Sequence, residues 1–202
     1  MFQISKAELL VKKLIPRLQT IPRPRPIKFI QNDVRVVTLA QNTTTVDQQI
    51  FEGDLPRRVI IVQILQEAYN GAYNRNPLDF QHFDVQRISV NMNGRNYPLE
   101  SNELKMDFDG DKITQSYIMA FIQLYDSEFE DLEGLYLTKD NYVNGYFMYS
   151  IALSAGNVPP PHGILRLKID YAKALPSPVV VLVFAEYERT MDMDSKGLIE
   201  IE

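Results

Sequence analysis

The sequence contains no cysteine and no tryptophan, and only two histidines, His82 and His162. Without cysteine there are no disulfides, no thiolate zinc sites and no thiol nucleophile, and nothing points to an oxidising compartment. Long hydrophobic runs are also missing. The longest, Val179 to Ala185, is far too short to cross a bilayer. The N-terminal stretch MFQISKAELLVKKLIPRL is interrupted by Lys6, Glu8, Lys12 and Lys13, so it is not a signal-peptide core. The chain therefore reads as soluble and intracellular. A sequon at Asn42-Thr43-Thr44 carries little weight without a secretion signal.

Catalytic patterns are equally scarce. The two histidines lie far apart, whereas a β-barrel metalloenzyme needs a tight pair. Both read as loop residues, His82 within LDFQHFDV and His162 after three prolines. No serine sits in a nucleophile-elbow glycine pattern. No glycine loop could cradle a phosphate. The stretch DFDGD, Asp107 to Asp111, starts like a calcium loop, but the sixth position is Lys112 where glycine is needed and the twelfth is Ile118 where glutamate is needed. These carboxylates suit the start of a helix, where the N-terminal dipole favours negative charge. Glu128, Glu130, Asp131 and Glu133 could serve glycoside hydrolysis. Yet a dense acidic stretch after a helix is more commonly a solvated loop, and the usual tryptophan platform for sugars is missing. The expectation is a non-enzyme with no cofactor and no metal.

Charge is unevenly spread. Residues 1–35 hold eight basic side chains against Glu8 and Asp33, a net +6, so the remainder carries −11 of the total −5. An acidic body disfavours broad phosphate binding, and direct nucleic-acid binding is not expected. The basic segment reads as a solvated edge or a contact for an acidic neighbour.

What the sequence does have is strands. Val34 to Leu39, Val59 to Leu65, Val85 to Met92, Tyr146 to Leu153, Ile164 to Tyr171 and Val179 to Tyr187 all read as β, with Leu9 to Ile15 and Leu198 to Ile201 as weaker candidates. Asn93-Gly94 signals a hairpin turn with Arg95 to Leu99 returning. PRPRP, Pro22 to Pro26, fits neither sheet nor helix and reads as an extended connector. One segment follows helical spacing, through Ile113, Tyr117, Ala120, Phe121 and Leu124, and predicts an amphipathic helix over about 111–126. Thr138 could cap a helical turn over Lys139–Val143. Many short strands separated by Pro, Gly and Asn indicate an antiparallel β-sandwich or barrel. Within strand Ile164 to Tyr171 the faces alternate cleanly. Val59 to Leu65 and Val179 to Phe184 do not: they are apolar on both faces, so the second face needs a cover. The helix, a preceding domain or a neighbouring subunit could supply it.

Three blocks then carry a family resemblance. LPRRVIIVQILQEAYNGAYNRNPLDFQHFDVQRISVNMNG leads from an LPxR start through an apolar strand into an Asn-, Tyr- and Gly-rich loop. LTKDNYVNGYFMYSIAL is built on D-x-Y-x-N-G-Y, and GILRLKIDYAKALPSPVVVLVFAEYE on G-x-L-R-L followed by a closing A-E-Y. In this order they resemble the major capsid proteins of Polinton (Maverick) transposons and adintovirus-like viruses, with gaps, from about Glu8 to Ile201. The resemblance implies a jelly-roll sandwich and a structural virion protein. Family members are double jelly rolls forming pseudo-hexameric trimers in an icosahedral shell. This chain would match the C-terminal jelly roll, either as a fragment or as a shortened descendant, and residues 1–202 would be one domain. Implied partners are further copies in a homotrimer, neighbouring capsomers and an N-terminal jelly roll of the same protein, with no membrane. The implied location is the virion, after assembly inside the host cell. Candidate domain or subunit contacts are Arg57, Arg58, Tyr69, Asn70, Tyr73, Asn76, Pro77 and Phe80. The alternative is a glycan- or receptor-binding jelly-roll module using the Tyr69–Asn76 loop.

Overall fold

The computed structural model describes residues 27–97, 106, 108, 113–125, 137–153, 162–193 and 199–201. The expected strand at 9–15, the PRPRP connector and the acidic stretch 126–133 lie outside them, as does most of DFDGD. Strands dominate: β1 (Ile27–Leu39), β2 (Thr45–Gly53), β3 (Arg58–Leu65), β4 (Val85–Met92), β5 (Arg95–Tyr97), β6 (Met148–Ala152), β7 (Gly163–Tyr171), β8 (Val179–Met193) and β9 (Ile199–Ile201). Among the described residues three helices interrupt them: α1 (Gln66–Tyr69), α2 (Ile113–Tyr125) and α3 (Lys139–Val143).

The first eight strands form two sheets, ordered β1-β8-β3-β6 and β2-β7-β4-β5, with β9 added to β8. The order has a simple origin. Strand β1 neighbours β8, β2 neighbours β7, β3 neighbours β6 and β4 neighbours β5, as in one long folded hairpin. Rolling that hairpin brings β8 beside β3 and β7 beside β4. The result is the jelly-roll sandwich of antiparallel strands, as the family resemblance implied, with one amphipathic helix, α2, inside the predicted span.

Contacts divide the chain into two units. Residues 32–187 form the sandwich. The second unit holds residues 1–31 and 188–202. Within it, β9 pairs antiparallel with the end of β8, Lys28 Nζ lies 2.7 Å from Glu188 Oε1, and Arg189 Nε donates to Gln31 Oε1 at 3.2 Å.

The sandwich core follows from alternation. Val59, Ile61, Val181, Val183, Ala185, Tyr149 and Ile151 from one sheet meet Val46, Ile88, Val90, Leu165, Leu167 and Ile169 from the other. Gln63 is the polar exception. Fully buried, it accepts a hydrogen bond from Tyr171 Oη at 2.5 Å, which ties β3 to β7 across the core. Helix α2 packs beside β6 and puts Ile113 and Ala120 into the same core. Thr138 caps α3 as expected, its Oγ1 accepting from Asn141 N at 3.1 Å.

Several expectations need correction. Strand β2 is absent from the sequence reading. Its TVDQQIFEG is largely polar, and an irregularity between Gln49 and Phe51 buries Ile50 and Phe51 in succession, which breaks the period of two. The loop after Leu65 opens with the short helix α1. Strand β6 starts at Met148, because Tyr146 instead makes an isolated parallel bridge to Phe80. Strands β1 and β8 extend past their apolar runs into charged sequence, since their backbones go on pairing.

Candidate assembly surface

The two outer faces of the sandwich differ in chemistry. Strand register places Thr45, Asp170 and Arg87 in one row across the β2-β7-β4-β5 sheet, then Asp47, Lys168 and Ser89, then Gln49, Arg166, Asn91 and Asn96. All are polar. Arg166 Nε donates to Asp47 Oδ1 at 2.9 Å, and Asn91 Nδ2 to Asn96 Oδ1 at 2.7 Å. This is the wet face of a half-buried sheet.

The other sheet inverts this. Register aligns Ser150, Ile60 and Phe184 in one row, Met148, Val62 and Leu182 in the next, and Ile64 with Val180 in a third. Strand β1 beside them exposes Val34 and Val36 by 42% and 46%. The cover that two-sided strands require is therefore partly internal. Ala68 of α1 closes over Ile64 and Val180 in a small separate cluster with Leu65 and Leu182. Helix α2 belongs to the main core and not to this cluster. Ile60, Leu182, Phe184 and Met148 remain only half-buried.

Arg58 and Glu186 bound this face. The guanidinium meets the carboxylate in two parallel bonds, Nε to Oε2 at 2.7 Å and Nη2 to Oε1 at 2.8 Å. Arg58 is thus held within the chain by the closing A-E-Y of the third block. Arg57 is half-buried and anchors backbone: its N–H donates to Glu186 O and its carbonyl accepts from Leu153 N.

The other candidates lie at the sandwich end where the β1–β2, β3–β4 and β7–β8 connections meet. Asn42 N donates to Leu175 O, and Gln66 N to Pro178 O. The 66–80 loop is held by its own backbone: Gly71 N to Ala68 O, Ala72 N to Glu67 O, Arg75 N to Ala72 O and Asp79 N to Asn76 O. From this frame Tyr69, Asn70, Tyr73, Asn76 and Pro77 point to solvent. Tyr73 and Leu78 of the loop are exposed, as is Tyr146 beside it. Only Phe80 is half-buried. Its N–H donates to Gly145 O at 2.8 Å and its carbonyl accepts from Phe147 N at 3.0 Å, so the first and second blocks are joined there.

Two glycines of the family pattern have physical partners. A Cβ on Gly145, whose φ is +98°, would stand 2.8 Å from Asp79 Oδ1. A Cβ on Gly163 would collide with the Asn93 amide. That amide clamps the start of β7, accepting from Ile164 N at 3.0 Å and donating to His162 O at 3.1 Å. At this opposite end His162 Nδ1 also lies 2.9 Å from Asp54 Oδ1.

Among the described residues no group of three His, Asp or Glu side chains is arranged to hold a metal ion, and no helix is long and apolar enough to cross a membrane. Burial pushes the phenol of Tyr149 up to about 12. It raises Tyr171 and Tyr142 further, although the Ser116 hydroxyl beside Tyr142 pulls the other way. All three phenols stay neutral and structural. The sequence reading missed Ser116, Gln63 and the stacked position of His82. Only the cluster of aromatics around His82 in LDFQHFDV hinted at the last.

No family model matches the sequence. Uncharacterized protein F54H12.2 of Caenorhabditis elegans is 26% identical over 69 residues, which is 34% of this chain and 16% of that protein. The mavirus major capsid protein superposes on 90% of this chain and 42% of its own length, at 8% identity and a TM-score of 0.49. The Sputnik virophage structure covers 91% of this chain and 40% of that one, at 13% identity and a TM-score of 0.41. The chain thus spans about two fifths of these two solved structures and a sixth of the nematode protein. The assignment of the jelly roll rests on the strand order itself.

Proposed function

We propose that the chain is a structural capsid protein, a jelly-roll unit that packs against other jelly rolls in a shell. The observation that carries this reading is the apolar outer face of the β1-β8-β3-β6 sheet, opposite a polar outer face on the other sheet. Buried apolar surface contributes roughly 25 cal/mol per Å², so a face of this kind favours a partner. Its central rows hold no charge, which suits another apolar sheet face and gives a phosphate backbone nothing to bind. Four strands spaced about 4.8 Å apart, over some 17 Å of length, give at most roughly 300 Å², and Val62, Ile64 and Val180 within that area are already buried. A specific interface buries about 800 Å² per partner. The face therefore needs a second contact, and the ordered loop carrying Tyr69, Tyr73, Asn76 and Pro77 supplies it, with Arg58 positioned by Glu186 at the boundary.

The three sequence blocks direct this assembly reading towards capsids of the Polinton, Maverick and adintovirus type. Their interlocking in the fold supports the resemblance: Arg58 with Glu186 and Phe80 with Gly145 join segments that the pattern only orders. In this reading the protein forms pseudo-hexameric trimers in an icosahedral shell, beside an N-terminal jelly roll of the same protein, and resides in the virion. Sedimentation velocity on the protein expressed from its complete reading frame tests it. Trimers or larger assemblies are expected. A strict monomer at high protein concentration would remove the proposal.

A further inference from the structure

His82 sits at a turn that its own ring holds in place. Val85 N donates to His82 O at 3.0 Å and closes the four-residue turn. Its two central residues, Phe83 and Asp84, have φ of 46° and 51°. Glycine adopts this left-handed region freely and aspartate with little resistance, but phenylalanine does so against steric resistance. Something must hold them there. The Asp84 N–H donates to His82 Nδ1 at 3.0 Å. A ring nitrogen that accepts an N–H carries no proton, so the neutral imidazole has its proton on Nε2. The ring cannot swing away easily, because it stacks on Phe108 at 3.8 Å and 9° and meets the edge of Phe147 at 6.4 Å. Its side chain is only 19% exposed.

We propose that His82 is a pH-sensitive latch: its neutral ring holds the 82–85 turn in the left-handed conformation, and protonation releases it. A proton on Nδ1 turns the acceptor into a donor facing another donor. The surrounding groups determine how the turn responds. Asp84 Oδ1 lies 3.6 Å from Nδ1, while the other oxygen of that carboxylate pairs with Lys173 Nζ at 3.1 Å, from the β7–β8 connection. Phe108 and Phe147 bring no charge, and Asp107 and Asp109 flank Phe108 in sequence. The imidazolium attracts the Asp84 carboxylate and draws it from Lys173. With Nδ1–H donating to that carboxylate, the Asp84 N–H loses its acceptor, and the turn is free to move. Asp84 O accepts from Ala172 N at 2.8 Å, so the movement reaches the β7–β8 connection as well as the start of β4. Histidine is the side chain that ordinarily changes charge within roughly the pH 5–8 range, so the two states are compared at pH 7.5 and 5.5.

Amide-resolved hydrogen exchange on the full chain tests the latch, with rates corrected for the intrinsic effect of pH. Protection of the Asp84 amide should fall at least tenfold between pH 7.5 and 5.5, while that of core strand β7 should not. In His82→Asn the side-chain oxygen replaces Nδ1 as an acceptor that does not titrate, so Asp84 protection should stay level. Equal pH dependence in both proteins, or none in either, overturns the proposal. Ring nitrogen shifts of His82 in the unaltered protein give a second measurement that needs no variant. They should report an Nε2–H imidazole at pH 7.5 and an imidazolium at pH 5.5, in step with the loss at Asp84. A ring still neutral at pH 5.5, or one that titrates without change at Asp84, also refutes it. These outcomes are independent of whether the protein assembles.

Discussion

Single side chains set the limits of the loop end. Gly145 combines a left-handed φ with a carboxylate oxygen where its Cβ would be. Gly145→Ala should therefore lower stability by about 1–3 kcal/mol, measured by urea denaturation. Removing Asp79 should cost less in the alanine background than in the unaltered protein, because the clash goes with it. The buried phenols make a second test. Tyrosine is neutral while protonated, so a folded-state value raised above 10 means that the folded chain keeps its proton longer. That stabilising difference is whole below pH 10 and is lost as pH rises towards 12. For Tyr149 the loss by pH 12 is about 2–3 kcal/mol. Urea midpoints should fall steeply between pH 9.5 and 11.5, and less steeply in Tyr149→Phe. In the sequence Gly145 appears only as part of the D-x-Y-x-N-G-Y block; Asp79, the partner that makes the glycine necessary, comes from a distant loop.

Elements are held to one another by a few specific pairs. Arg58 on β3 and Glu186 on β8 form a two-bond ion pair with side chains 15% and 21% exposed, which sets it apart from an ordinary surface pair. A double-mutant cycle of Arg58→Ala and Glu186→Ala should return a coupling of about 1–3 kcal/mol. A value near zero would mean that the pair only decorates the sheet boundary. Element boundaries were legible where a regular period met a clear stop: β4, the Asn93-Gly94 hairpin, α2 and the Thr138 cap. They were lost where backbone pairing overrode side-chain pattern, as in polar β2 and the charged end of β8.

The whole molecule turns on the contrast between its outer faces. Leu182→Lys and Val36→Lys each place a charge on the apolar face without entering the core. Both should abolish or weaken association in sedimentation velocity while leaving circular dichroism unchanged. Lys168→Glu, on the polar face, is the control and should leave association intact. If all three variants associate alike, the apolar face is not the contact. Equal loss in the control would point to a general charge effect instead.

Composition and period by themselves determined an all-β chain without thiol chemistry, one amphipathic helix, and two strands apolar on both sides. Those properties depend on residues close in sequence, and local alternation reports them directly. Only the tertiary structure decided which faces meet. The rolled hairpin puts β8 between β1 and β3, turns Ile60, Leu182 and Phe184 outward on one surface, and lets α1 close over Ile64 and Val180. Sequence can show that a strand needs two covers. Which cover is internal, and which face stays open, depends on contacts between residues far apart in the chain.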